Sequence, residues 1–462
     1  MAIDLLLELD EHLGREQAVT LALRTAIRDG RLAAETRLPS SRQLAEELGL
    51  ARSTVVSAYE QLVAEGFLVA RQGTATTVAA VDHSPSVGRA SPGARKVFKH
   101  DFRPGETDHT CFPVNAWMRS ARRALGTTDP AVFGYGDPLG LLDLRTTLAD
   151  QLRRSRAVDA PASNVVIQSG VAGALRLIAQ SLRQLGVETV AFEDPCLPFL
   201  PSILRRAGLA TEPVPVDGSG LRVDLLEATE ATAVLVTPAH QYPTGVPLAP
   251  DRRLQLIGWA TRRHGWIIED DYDGEFRYDR RSIGSLQALA PDRVIYLGTA
   301  SKSVAAGMRT AWAVLPDAVL ATIAPAVAGD VSGLEQATFA DFVATGAFDR
   351  HLRAMRKLYT ARRRVLVNAL ADVPFDLTVL GIPAGLHVPV AWDRDGPDEA
   401  SLVAAGEEVG MGLIGFGAHF ANQTSRAAAC PGMVLGFSRQ PETGYSNSVE
   451  RLMELLARFG SA

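Results

Sequence analysis

Hydrophobic positions along this chain change their period twice. From residue 15 to residue 30, Val19, Leu21, Leu23, Ala26 and Ile27 recur at helical spacing, and Gly30 ends the run. Residues 37–68 carry two more helical patterns. Ser40 or Ser41 caps the first, which buries Leu44, Ala45 and Leu48; Gly49 permits a tight turn; the second buries Val55, Ala58, Tyr59 and Leu62. Residues 66–78 read as two short strands around a glycine turn. Residues 79–98 hold two prolines, two glycines and neither period, which predicts a flexible linker. From about residue 99 the pattern changes again. The runs 189–195, 233–238, 265–271 and 294–298 are short and continuously apolar, as strands buried on both faces are, and helical stretches separate them. The prediction is a winged helix-turn-helix domain of α+β type over residues 1–78, a linker over 79–98, and a large α/β domain over 99–462. That domain is expected to hold a mostly parallel sheet and to bind ligands beyond the carboxyl ends of its strands.

Composition narrows this picture only slightly. The 462 residues, 47% hydrophobic and 21% charged, suit two or three soluble domains. No apolar run approaches the roughly 18 residues of a membrane helix, and the first ten residues are acidic rather than signal-like, so a cytoplasmic protein without membrane contact is expected. Cys111, Cys196 and Cys430 are odd in number, far apart and without CxxC spacing, which suggests neither a disulfide framework nor a metal site. A net charge of -5 gives no global sign of nucleic-acid binding, so any such function rests on a local surface.

Such a surface is predicted in the first domain. The second helix of the turn motif opens with Arg52, Ser53 and Thr54, side chains able to reach base edges and phosphates in a major groove. Residues 1–78 hold eight arginines against eleven acids, a weak electrostatic footprint, and a helical domain that packs on something else is the bland alternative. Yet Asp4, Glu8, Asp10, Glu11 and Glu16 precede the motif, whereas Arg37, Arg42, Arg52 and Arg71 fall on its predicted DNA face. The runs Leu-Pro-Ser-Ser-Arg and Ser-Thr-Val-Val-Ser-Ala-Tyr-Glu-Gln-Leu resemble the winged helix of the GntR family of transcription regulators. The candidate DNA-binding residues are Ser41, Arg42, Arg52, Ser53, Thr54, Gly73 and Thr74; contact by Arg42, Arg52, Thr54 and the wing tip at Gly73 and Thr74 is what the resemblance implies.

In the large domain the candidate chemistry lies where apolar runs end, at Glu193-Asp194, His240-Gln241, Asp270-Asp271 and Ser301-Lys302, which four strands are expected to aim at one crevice. Lysine occurs four times in the chain, at Lys96, Lys99, Lys302 and Lys357, against 43 arginines, and Lys302 follows the run 294–298. An amine can lose its proton and attack an aldehyde, which a guanidinium effectively cannot, so Lys302 is a candidate Schiff-base former. A solvated lysine at a helix start, or an ordinary salt bridge with Asp270, would look the same in isolation. The order of elements adds weight: a glycine turn at Gly170 opens a helix whose Val171 and Ala172 amides could cradle a phosphate, then come Asp270, Lys302 and Arg309.

That order resembles the fold-type I pyridoxal-phosphate (PLP) enzymes of the aminotransferase class. The motifs 102–105, 112–113, Trp117, 135–140, His240-Gln-Tyr-Pro-Thr-Gly245 and Glu269-Asp-Asp-Tyr-Asp-Gly-Glu-Phe-Arg-Tyr278 carry the likeness. With the winged helix in front, the whole chain resembles the MocR subfamily of GntR regulators. The resemblance implies a homodimer, often head-to-tail, that binds operator DNA and senses pyridoxal 5'-phosphate with or without an amino-compound effector. It implies Lys302 as Schiff-base lysine, Asp270 as partner of the pyridine nitrogen, Tyr272 beside the phenolic oxygen, Arg309 on the phosphate, Ser301 and Thr299 as further phosphate candidates, and Tyr135 reaching the partner's phosphate. Three positions depart from the enzymes' pattern. Tyr242 replaces the asparagine whose amide bonds the ring oxygen, Leu197 stands where an aromatic ring usually stacks, and Val434 stands where an arginine often takes the substrate carboxylate, with Arg426 and Arg439 nearby. These changes argue for a sensor over an efficient transaminase. The competing readings are an active aminotransferase with an accessory DNA-binding module, in which Lys302 would be catalytic, and a regulator whose large domain no longer binds the cofactor.

Overall fold

The computed structural model describes residues 7, 9, 10, 12–70, 75–80, 96–127, 129–278, 283–327 and 329–459. The chain forms two compact units, one ending at Lys96 and one beginning at Val97. No helix among the described residues is long and apolar enough to cross a membrane.

In the first unit the helices Arg15–Arg28, Ser41–Leu48 and Arg52–Ala64 enclose a core of Val19, Leu23, Ile27, Leu44, Val55 and Leu62, closed by Leu68 and Val78. Ser40 caps the second helix, its Oγ accepting from the Gln43 amide at 3.2 Å, which leaves Ser41 as the first helical residue. Gly49 ends that helix at φ +65°, in the left-handed region where a Cβ is costly. The strands Leu68–Val69 and Thr77–Val78 pair antiparallel as the wing predicts; the expected tip residues Gly73 and Thr74 lie outside the described residues.

The second unit is built on an eight-stranded sheet. Its order is Val165–Ser169, Thr310–Val314, Val294–Thr299, Trp266–Asp270, Ala233–Val236, Thr189–Asp194, Ala210–Asp217, Gly220–Leu221. The five strands from Val294–Thr299 to Ala210–Asp217 run parallel; Thr310–Val314 pairs antiparallel with both its neighbours, and the Gly220–Leu221 edge is also antiparallel. The sheet is therefore more mixed than the sequence pattern suggests. Continuous apolar runs are explained by burial on both faces: Leu235 and Ile268 join one core with Leu175 and Ile178, while Val234 and Ile267 join another with Leu256 and Trp259. Gly298 is required at its strand position, because a Cβ there would lie 2.2 Å from Trp312 Nε1 on the paired strand. A smaller C-terminal portion carries the antiparallel strands Leu377–Val379, His387–Trp392 and Gly432–Gly436, with the helices Ala347–Leu370 and Glu442–Ala457 packed together.

Candidate functional site

The crevice forms at the carboxyl ends of three central parallel strands. Strand Trp266–Asp270 delivers Asp270, strand Val294–Thr299 runs into the short helix Ala300–Ser303 that carries Lys302, and strand Ala233–Val236 leads to His240 and Tyr242. The Lys302 ammonium donates to the carbonyl of Gly105. Burial lowers its pKa from the usual lysine value, and the charges of Asp270, Asp273 and Glu106 oppose that shift. A lysine so placed gives up its proton more readily than a solvated one, which nucleophilic chemistry requires.

Asp270 is buried, and its Oδ1 has no hydrogen-bond partner. Burial, reinforced by the Asp271 charge, pushes its pKa up to about 7, with Lys302 opposing. An unpartnered buried carboxylate oxygen fits a protonated ring nitrogen that would satisfy it. A testable consequence follows from the sign of the shift. A carboxyl whose folded pKa exceeds its unfolded value of 3.8 destabilises the fold as pH rises from about 4 to about 7, and the penalty levels off above. Asp270→Asn should therefore raise the melting temperature of the cofactor-free protein at pH 8 and leave it unchanged near pH 3.5, as scanning calorimetry would show.

Strand Val165–Ser169 turns at Gly170, φ +76°, into the 15-residue helix Gly170–Gln184, which has no side-chain cap. Its first turn presents the amides of Val171 and Ala172. Arg309 adopts φ +54°, unusual for a non-glycine residue, and its guanidinium lies 3.4 Å from the place a Gly170 Cβ would take. The uncapped helix start and the Arg309 guanidinium thus lie side by side, a candidate anion site. Of the two hydroxyls expected there, Thr299 is committed elsewhere: it is buried, accepts from the Ser301 amide and donates to the Thr310 carbonyl at 3.3 Å. Ser301 is the less encumbered. Tyr135 is fully exposed and touches none of these groups within its own chain.

Not every polar strand end serves the crevice. Asp271 forms a buried pair with Arg156, at 2.5 and 2.8 Å, and accepts from the Tyr296 hydroxyl at 2.7 Å. Glu193 accepts from the Thr237 amide and hydroxyl, and Asp194 from the amides of Ala421 and Asn422. These carboxylates bind the fold together. Val434 is buried within strand Gly432–Gly436. Neither nearby arginine is a free anchor: Arg439 pairs with Asp101 at 2.9 Å and Glu106 at 3.1 Å, and Arg426 is exposed beside Glu399. Leu197 is half-buried and packs on the apolar core.

The cluster around Tyr242 was not legible in the sequence. Its ring meets Tyr272, His387 and His419 edge-on at 6.2, 5.1 and 5.2 Å between centroids. His240 Nδ1 lies 2.9 Å from Asp273 Oδ2, and the two come with His387 to within 4.8 Å of one another at their potential ligand atoms. His240 and Asp273 sit inside motifs the sequence exposes; His387 lies on a distant strand and no local signal couples it to them.

Comparison with known proteins identifies the family and the fold. Residues 101–405 match the model for aminotransferase class I and II, and residues 15–78 that for bacterial regulatory proteins of the gntR family. The chain is 33% identical over 429 residues to the probable rhizopine catabolism regulatory protein MocR of Rhizobium meliloti, covering 87% of this chain and 86% of that one. The chain belongs to the MocR subfamily of GntR-type transcription regulators. This MocR-type chain is also 33% identical to the pyridoxine biosynthesis transcriptional regulator PdxR of Corynebacterium glutamicum, over 81% of its length and 83% of the relative's. Among solved structures, the multiple substrate aminotransferase of Thermococcus profundus superposes with a TM-score of 0.69 at 24% identity, covering 79% of this chain and 92% of that one, a likeness of fold. In the DNA-binding unit of this MocR-type chain, Arg42 is exposed at the start of the second helix, Arg52 is exposed at the start of the third, and Ser53 and Thr54 share that turn.

Proposed function

We propose that this chain is a DNA-binding regulator whose large domain binds pyridoxal 5'-phosphate and responds to the cofactor, an amino-compound effector or both. The unpartnered Asp270 carboxylate, facing the electrostatic neighbourhood of Lys302, carries this reading. When bound, the cofactor supplies an aldehyde for an amine to condense with. Lys302 offers the amine, Asp270 holds the ring nitrogen's proton, Tyr272 donates toward the phenolic oxygen, and Val171, Ala172, Arg309 and Ser301 take the phosphate. An effector amine would displace Lys302, and only its differential affinity for two arrangements of the protein could alter DNA binding.

Transaminase turnover is the weaker alternative. The Arg439 guanidinium is occupied by two carboxylates and Val434 is buried, so neither offers a substrate carboxylate a ready partner. A homodimer is supported by exposed apolar side chains: Val114, Met118, Leu125, Phe133 and Leu142 lie on three segments that all pack against helix Gly333–Ala344. Tyr135 would then serve the partner's phosphate.

On DNA, the first turn of helix Arg52–Ala64 reads the major groove, with Ser41, Arg42 and the wing tip on the backbone. With a duplex selected from a random pool, Arg52→Ala should weaken binding by about 1–3 kcal/mol, measured by fluorescence anisotropy at fixed salt. An unchanged affinity and salt dependence in both Arg42→Ala and Arg52→Ala would remove this face from the interface.

A further inference from the structure

Around Tyr272 the structure holds a hydrogen-bonded arrangement that the roles above leave unused. The Tyr272 hydroxyl donates to the His240 carbonyl at 3.1 Å, and its oxygen lies 3.1 Å from His240 Nδ1. That same Nδ1 lies 2.9 Å from Asp273 Oδ2. Nε2 of the ring is buried without a partner, in a space bounded by Gly245 and Pro389. A carboxylate can only accept, so the Nδ1 proton is present and is shared between Asp273 and the Tyr272 oxygen. Gly385 makes room for the pair, since a Cβ there would lie 2.2 Å from His240 Cε1 and 2.3 Å from Asp273 Oδ2. His240 is thus wedged from both sides, its ring orientation fixed by packing and by a carboxylate that is itself buried.

We propose that His240, braced by Asp273, is a positioning residue that fixes and polarises the Tyr272 hydroxyl, replacing the support that the absent amide at Tyr242 would give to the cofactor's phenolic oxygen. The inference rests on the reading of the crevice as a pyridoxal-phosphate site. Its physical content is a hydrogen-bond chain. An N–H donated to the Tyr272 oxygen makes that hydroxyl a stronger donor once its proton turns from the His240 carbonyl to the phenolic oxygen, and the gain is larger in a buried site than in water. Tyr242 meets Tyr272 in a T-shaped ring contact and carries no amide to replace the missing support. The groups facing His240 are Asp273 and Tyr272 from its own edge of the crevice, Tyr242 from the loop ahead of Pro243, and His387 from strand His387–Trp392, with His419 behind Tyr242 and Asp270 and Lys302 beyond. His387 is held well below its usual pKa, first by burial and then by His240, so it brings no charge near neutral pH.

The test reads the pH midpoint of the visible band that the full-length protein acquires on adding pyridoxal phosphate. A donor aimed at the phenolic oxygen stabilises its anion and lowers the proton affinity of the neighbouring imine nitrogen. His240→Leu should therefore raise the midpoint by about one pH unit, a tenfold change in proton affinity. His240→Asn, whose amide can place an N–H where Nδ1 was, should keep the wild-type midpoint. Tyr272→Phe should shift it upward as well, and Tyr272→Phe with His240→Leu should match Tyr272→Phe alone, because His240 acts through Tyr272. Additive shifts, a wild-type midpoint in His240→Leu, or failure of His240→Asn to restore it would overturn the proposal. So would a stoichiometric divalent ion whose removal by EDTA changes the wild-type midpoint, since His240, Asp273 and His387 would then be metal ligands. If the wild-type protein gains no band at all, the cofactor reading itself fails; a band with the wrong mutant pattern overturns the role of His240 alone.

Discussion

Lys302→Ala is expected to abolish the visible absorbance on adding pyridoxal phosphate and to remove all dependence of DNA binding on cofactor or effector. Basal affinity for DNA should stay within about twofold of wild type, because the substitution lies in the second unit and leaves the side chains proposed to read phosphates and bases unchanged. The reason lies in the inventory of amines. Lys302 is the lysine placed beside Asp270, its pKa lowered by burial, with its ammonium resting on the Gly105 carbonyl. Arginine cannot replace it, since the guanidinium keeps its proton. Absorbance titration and anisotropy on one selected duplex would check both halves. A variant that keeps the band, or keeps ligand-dependent DNA binding, contradicts the sensing mechanism.

Asp271→Ala, one residue from the proposed cofactor contact, should act in another way. It should destabilise the large domain by about 3–5 kcal/mol, the usual cost of leaving a buried charge without its partner. Arg156 and Asp271 are each 1% exposed at the side chain and joined by two hydrogen bonds, and Tyr296 adds a third to the carboxylate. Urea unfolding followed at both pH 6 and pH 8 would measure the loss, against Asp270→Asn, which should cost nothing or stabilise. Adjacent aspartates would thus be separated into a group that serves the ligand and a group that serves the fold. If Asp271→Ala melts like wild type, the pair contributes no net stability and the division fails.

These two aspartates also show how far the sequence could be read. Apolar runs ending in polar residues located the crevice, because residues buried on both faces of a sheet leave a signal that needs no alignment. The order of Gly170, Asp270, Lys302 and Arg309 named the cradle, acid, lysine and arginine, and the structure brings Arg309 beside Gly170. What the pattern could not tell was which of Glu193, Asp194, Asp270 and Asp271 would be consumed internally. That depends on partners far away in sequence, such as Arg156 or the amides of Ala421 and Asn422. Thr299, read from the sequence as a phosphate candidate, also caps the short helix that presents Lys302, a second role that the sequence did not reveal. In the winged helix the three helices were legible and the structure chooses Ser40 over Ser41 as the cap, since capping and helical spacing are local, whereas Leu48 is only partly buried and the wing tip lies outside the described residues. His387 and His419 carried no signal. Their relation to Tyr242 is created by strands and turns that meet only in the folded chain.

The antiparallel placement of Thr310–Val314 has a similar cause. After the Lys302 helix the chain turns through Ala306–Met308 and the left-handed Arg309, and so re-enters the sheet in reverse. The turn that puts Arg309 beside Gly170 therefore also sets the direction of the next strand, a coupling that apolar periodicity cannot encode.

Lys302 is proposed as a covalent but reversible hook. The purified protein, incubated with pyridoxal phosphate, reduced with borohydride and digested, tests it most directly by peptide mass spectrometry. The account predicts one pyridoxyl group per chain, on the peptide containing Lys302 and lost in Lys302→Ala, with Lys96, Lys99 and Lys357 unlabelled at stoichiometric cofactor. An unmodified Lys302 peptide, or label spread evenly over the four lysines, would contradict it.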